Sequence, residues 1–86
     1  MTNSSVVVEI YSRPGCHLCG DAKEVIERVQ RRAKFDLRII NIEGNTELEE
    51  AYGEQIPVVL INGRKAFKYH VKEAEFEAQV KRLWKQ

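Results

Sequence analysis
A β-branched and aromatic run, Val6-Val7-Val8-Glu9-Ile10-Tyr11, stops at Ser12-Arg13-Pro14-Gly15 and gives way at once to a helical stripe. From Cys16 to about Lys34 the apolar residues Cys19, Ala22, Val25, Ile26, Val29 and Ala33 recur at steps of three and four, which places them on one side of a helix. Glu24 with Arg28 and Glu27 with Arg31 set acid before base at i,i+4, each pair adding ~0.2 to 0.5 kcal/mol in favour of helix. A strand that turns this tightly into a helix leaves few choices for the next element. Phe35 to Ile42 supplies a second strand, with Leu37 and Ile39 alternating against Asp36 and Arg38. The three elements make a βαβ unit, whose crossover is right-handed on steric grounds.

The second half is shorter in its elements. Thr46 and Glu49 fit a capping box that opens a brief helix through Ala51 and Tyr52, with Gly53 where helices commonly end. Pro57 to Ile61 and Arg64 to Tyr69 read as two strands joined by Asn62-Gly63, a pair that tolerates the positive φ of a type I′ hairpin turn. That register sets Ile61 opposite Arg64 and Val58 opposite Phe67. Phe76, Val80, Leu83 and Trp84 at i, i+4, i+7 and i+8 give the apolar stripe of a closing helix. The expected architecture is α/β, in the order βαβαββα. With no internal repeat, low-complexity tract or Pro/Ser-rich linker, residues 1–86 form one expected domain.

Composition narrows the function. In 86 residues a single thin core is all that can be buried, so chemistry belongs near the surface. Fourteen basic against thirteen acidic side chains, a net charge of +1, supply no field to draw nucleic acid or an anionic membrane. The longest aliphatic run, Val58-Val59-Leu60-Ile61, is far short of the ~18 residues of a membrane span. The polar lead Met1-Thr2-Asn3-Ser4-Ser5 carries none of the marks of a secretory signal, so a cytoplasmic location is expected. Arg31, Arg32 and Lys34 form a basic group, read as cations that offset the dipole where the first helix closes.

The two cysteines, Cys16 and Cys19, stand where strand hands over to helix. Three apart at a helix start, their Cβ atoms lie ~5 to 6 Å from one another, within a small adjustment of disulfide geometry. Free amides and the positive end of the dipole at that terminus favour an anion by up to ~2 kcal/mol, which stabilises a thiolate at Cys16. Cys19 belongs to the apolar stripe and is shielded. A lowered thiol pKa raises the thiolate fraction but lowers its intrinsic nucleophilicity; it also makes Cys16 a better leaving group when Cys19 attacks a mixed disulfide. Dithiol redox chemistry is the leading reading. The alternatives are half of a zinc site, an iron-sulfur cluster shared between two chains, and inert cysteines. His17 and His70 are the only histidines left to complete a metal set. Arg13 and His17 flank Cys16: each is a candidate for stabilising its charge, against an ordinary loop cation and an imidazole that faces water. Tyr69 and His70 either border a substrate groove or finish a strand.

The stretch Tyr11-Ser12-Arg13-Pro14-Gly15-Cys16-His17-Leu18-Cys19, with Tyr52-Gly53-Glu54-Gln55-Ile56-Pro57-Val58-Val59-Leu60-Ile61-Asn62-Gly63 downstream, resembles the glutaredoxin-like branch of the thioredoxin superfamily. The resemblance spans nearly the whole chain. It implies the thioredoxin fold, a four-stranded mixed sheet flanked by helices, with Cys16 attacking, Cys19 resolving and Pro57 in cis opposite them. The backbone of Ile56 then pairs with an extended substrate by strand addition. The implied activity is reduction of disulfides in protein or glutathione mixed-disulfide substrates, by a monomer with no bound cofactor. A binding module of the same fold without turnover, or a metal or iron-sulfur carrier using Cys16 and Cys19, are the alternatives. Three positions depart from the pattern. His17 replaces the usual proline, and Ile10 stands where thioredoxins bury an acid, with Glu9 on the opposite strand face. Phe67-Lys68-Tyr69-His70-Val71 replaces the Gly-Gly and acidic residue with which glutaredoxins hold glutathione. Glutathione and a reductase are thus both candidate electron donors.

Overall fold
In the computed structural model, which describes residues 6–84, the chain runs β1 (Val7–Ser12), α1 (His17–Gln30), β2 (Asp36–Asn41), α2 (Thr46–Tyr52), β3 (Val58–Ile61), β4 (Arg64–Lys68) and α3 (Glu73–Leu83). The order is the expected one; the lead at residues 1–5 lies outside the described residues. The strands form one mixed sheet in the order β2-β1-β3-β4. β1 lies parallel to β2 and antiparallel to β3, and β4 is antiparallel to β3.

Alternation along β1 decides what the sheet buries. Val8 and Ile10 face α1 and α3 and join Val59, Ile61, Ile26, Val29, Phe76 and Val80 in a single core. Phe76 is its largest fully buried side chain, edge-on to Phe35 at 5.5 Å and to Phe67 at 6.3 Å between ring centroids. On the opposite face lies α2, which buries none of its residues fully and stacks Tyr52 on Tyr11 at 4.7 Å.

The hairpin turn has positive φ at both Asn62 (51°) and Gly63 (83°), as a type I′ turn requires, and Ile61 faces Arg64. Farther along, Val58 faces Lys68 rather than Phe67, because a bulge between Val59 and Leu60 shifts the register. With Leu60 opposite Lys65 and Val59 opposite Phe67, Ala66 is the extra residue. Without it, period two would turn the Phe67 ring away from Phe76; the bulge returns it to the core.

Other details also depart from expectation. The cap of α2 is Asn45, whose Oδ1 accepts from the Leu48 amide at 3.0 Å, so Thr46 is the first helical residue. Glu49 reaches back to the Gly44 amide, 3.2 Å away. β4 ends at Lys68, leaving Tyr69 in the following loop. Ile39 does not alternate into the core: on β2, a strand with a neighbour on one side only, it is 49% exposed. Trp84 is 40% exposed and donates its indole N–H to the Lys34 carbonyl at 2.9 Å, a strap between the end of α3 and the α1–β2 turn.

α1 stops at Gln30, with Arg31 as its cap, and of the basic group at its end Arg32 is engaged by α3. Arg28 and Arg32 reach across to α3: Arg28 pairs with Glu73 at 3.0 Å, and Arg32 with Glu73 at 2.9 Å and Glu77 at 2.7 Å. Lys81 completes the cluster at 2.8 Å from Glu77.

Candidate functional site
β1 ends at Ser12, and the chain turns through Gly15 at φ 80°, a conformation glycine adopts without steric cost. The Cys16 amide closes that turn on the Arg13 carbonyl at 3.2 Å. Cys16 is extended (φ −84°, ψ 114°) and is the N-cap of α1. Its Sγ accepts the Cys19 amide at 3.2 Å, taking the place a serine or aspartate oxygen has in an ordinary cap. The Cα atoms of Cys16 and Cys19 are 5.2 Å apart and their sulfurs are joined as a disulfide. Cys16 is half-buried, whereas Cys19 is 7% exposed, as the apolar stripe requires. No acidic residue stands in the first turn of α1 to oppose a negative charge on Cys16.

The flanking side chains, Arg13 and His17, face elsewhere. The His17 side chain is 91% exposed and lies 3.6 Å from Asp21, one turn along the helix. The Arg13 guanidinium runs to the end of α2, where its Nη2 lies 3.6 Å from the position a Cβ on Gly53 would occupy. There it sits against the negative end of that short helix. Among the described residues no cluster of three or more His, Cys, Asp or Glu side chains is arranged to hold a metal ion.

Because β3 is antiparallel to both its neighbours, the end of β1, the start of β3 and the end of β4 meet at one end of the sheet. That end carries Cys16, the Ile56-Pro57 segment and Tyr69. The Ile56-Pro57 bond is cis, as the resemblance implied, and Pro57 is buried. Among the described residues neither the N–H nor the C=O of Ile56 has a hydrogen-bond partner, while the Pro57 carbonyl accepts the Tyr69 amide at 2.9 Å. Tyr11, stacked on Tyr52, has its phenol pushed above the ordinary range, first by burial and then by the charges of Glu9 and Tyr52. Glu9 is a half-buried strand charge on the face opposite Ile10, as alternation predicts. A hollow of about 530 Å³ lies at the far end of the sheet, between the hairpin residues Ile61, Asn62 and Arg64 and the α3 residues Arg82 and Leu83.

Tyr69 is the residue that sequence reasoning placed least well. It has φ 69°, and nothing in its type points there, since the left-handed region favours Gly, Asn and Asp.

Residues 7–81 match the family model described as Glutaredoxin-like domain (DUF836). A thioredoxin of Methanocaldococcus jannaschii is 34% identical over 84 residues, covering 93% of this chain and 99% of that one. Among solved structures, a protein from Nitrosomonas europaea is similar with a TM-score of 0.78 at 27% identity, over 93% of this chain and 99% of the other. A mutant thioredoxin from Halobacterium salinarum gives a TM-score of 0.67 at 19% identity over 93% of this chain and 75% of that one, a likeness of fold alone. The mixed four-stranded sheet with its three helices is the thioredoxin fold.

Proposed function
The chain belongs to the glutaredoxin-like domain family, and from that premise we propose that it is a thiol-disulfide oxidoreductase acting through Cys16 and Cys19. One observation carries the reading: Cys16 Sγ, at the N-cap of α1, accepts the Cys19 amide at 3.2 Å, with the second sulfur tucked behind it. In the reduced protein the same amide and the helix dipole favour the Cys16 thiolate by up to ~2 kcal/mol.

The thiolate attacks one sulfur of a substrate disulfide, the other sulfur leaves as a thiolate and takes a proton from solvent, and a mixed disulfide forms at Cys16. Cys19 then loses its proton and attacks Cys16 Sγ. That step releases the remaining substrate thiol and closes the Cys16–Cys19 disulfide, so two electrons and two protons have passed to the substrate. A dithiol reductase, or two molecules of glutathione, restores the reduced pair by the same exchange in reverse. The N–H and C=O of Ile56, beside Pro57 and without partners among the described residues, support docking of an extended substrate by strand addition. Main-chain pairing of this kind suits protein disulfides and glutathione mixed disulfides alike. Arg13 and His17 flank Cys16 along the chain and are assigned to substrate contact, for which their side chains would leave the end of α2 and Asp21, in a monomeric cytoplasmic protein.

Single-cysteine variants test the reading. Cys16→Ser should abolish turnover of a mixed-disulfide substrate, and Cys19→Ser should accumulate a stable adduct at Cys16 detectable by mass. Full reductase activity in Cys16→Ser would overturn the assignment.

A further inference from the structure
Tyr69 holds both ends of one loop. Its amide donates to the Pro57 carbonyl at 2.9 Å and its hydroxyl donates to the Glu54 carbonyl at 3.1 Å, with Gln55 and Ile56 between. The near side of the same loop is tied more locally, by the Gln55 amide to the Tyr52 carbonyl at 2.8 Å and by Lys65 Nζ to the Gln55 side chain at 3.3 Å. Two features of Tyr69 run against ordinary packing. A bulky aromatic at φ 69° is an outlier that persists only where its surroundings over-determine it. The residue is 39% exposed, so burial of apolar surface does not account for the position either. The two hydrogen bonds do: the left-handed backbone lets one residue direct its amide to Pro57 and its phenol to Glu54.

We propose that Tyr69 is a positioning residue that preorganises the 54–57 loop for an extended disulfide substrate, and so sets affinity for peptide disulfides without acting on the dithiol. The inference rests on the reading of Ile56 as the docking backbone. A loop already held in its binding shape spares the substrate the entropy cost of ordering it, and that saving appears in affinity rather than in the chemical step.

Tyr69→Phe isolates the hydroxyl, and Tyr69→Asn removes ring and hydroxyl while tolerating the left-handed backbone. Loss of one exposed hydrogen bond should raise KM for a glutathione-capped cysteine peptide about two- to ten-fold in each variant. The kcat, the KM for hydroxyethyl disulfide, which has no peptide backbone, and the dithiol potential should all stay at wild-type values. An unchanged peptide KM, or an equal loss with both substrates, overturns the proposal. Amide exchange separates it from the functional reading: if the wild-type protein reduces neither substrate, the oxidoreductase assignment fails. The clamp then stands if the hydrogen-bonded amides of Gln55 and Tyr69 exchange faster in Tyr69→Phe by a similar factor, and falls if they do not.

Discussion
At Cys16 the proposed redox chemistry rests on the local backbone. One amide 3.2 Å from Sγ and a helix start free of acidic side chains stabilise a thiolate, while the neighbouring His17 faces Asp21. Reduced protein should therefore react with iodoacetamide about three-fold faster at neutral pH than an unperturbed cysteine, the rise in thiolate fraction being largely offset by weaker nucleophilicity. His17→Ala should leave that rate within about a factor of two, because an exposed pair one turn away is screened by water. The pH dependence of alkylation checks both. Gly53 makes a second demand at this scale: a Cβ there would come 2.5 Å from the Glu49 carbonyl oxygen, and backbone must give way. Gly53→Ala should lower stability by about 1 to 3 kcal/mol in urea unfolding, through overpacking rather than strain in φ, which is an ordinary −52°. The cysteine pair, its place at a helix start and the shielding of Cys19 could all be read from residue types. The direction of His17, the reach of Arg13 to α2 and the backbone of Tyr69 could not, since each depends on partners distant in sequence or on a backbone angle its residue type does not favour.

Among the elements, the helices followed their periodicity, whereas β2, with Ile39 exposed, β4, with its bulge, and some of the joints did not. α1 was visible because five apolar residues, Cys19, Ala22, Val25, Ile26 and Val29, keep one stripe; the hairpin was visible because Asn62-Gly63 suits one turn type. The cap of α2 was misplaced by one residue because Asn45 and Thr46 are both good caps, and choosing between them depends on which backbone is extended. Asn45→Ala should accordingly lower stability by about 1 kcal/mol, and Thr46→Ala by much less, in denaturant titrations of the two variants. The bulge at Ala66 was hidden for a different reason. Its benefit, returning Phe67 to Phe76, is a contact between β4 and α3 that no local pattern of β4 contains. Phe76→Ala should cost about 3 to 5 kcal/mol, the range for emptying a fully buried aromatic site.

For the whole molecule, the ion pairs between α1 and α3 predict how the fold responds to acid. Arg32 and Lys81 hold Glu77 down to about 2, and Arg28 and Arg32 hold Glu73 below its ordinary 4.5. Carboxylates depressed in the folded state stabilise it fully above their unfolded value near 4.5, and that contribution is lost as pH falls towards 2. Glu77→Gln should therefore unfold at higher pH than wild type on acid titration. Molar salt should narrow the difference, because the partners are exposed. The pairing itself was not legible: Arg28 and Arg32 looked like residues of one helix, and their partners lie more than forty positions away. Periodicity and turn chemistry act over a few residues, so the sequence alone determined the seven elements, the core stripes and a dithiol at a helix start. Register across the bulge, the crossing pairs between α1 and α3, and the hold of Tyr69 on Glu54 and Pro57 were decided only in the tertiary structure, because each depends on which distant segments the strand order brings side by side.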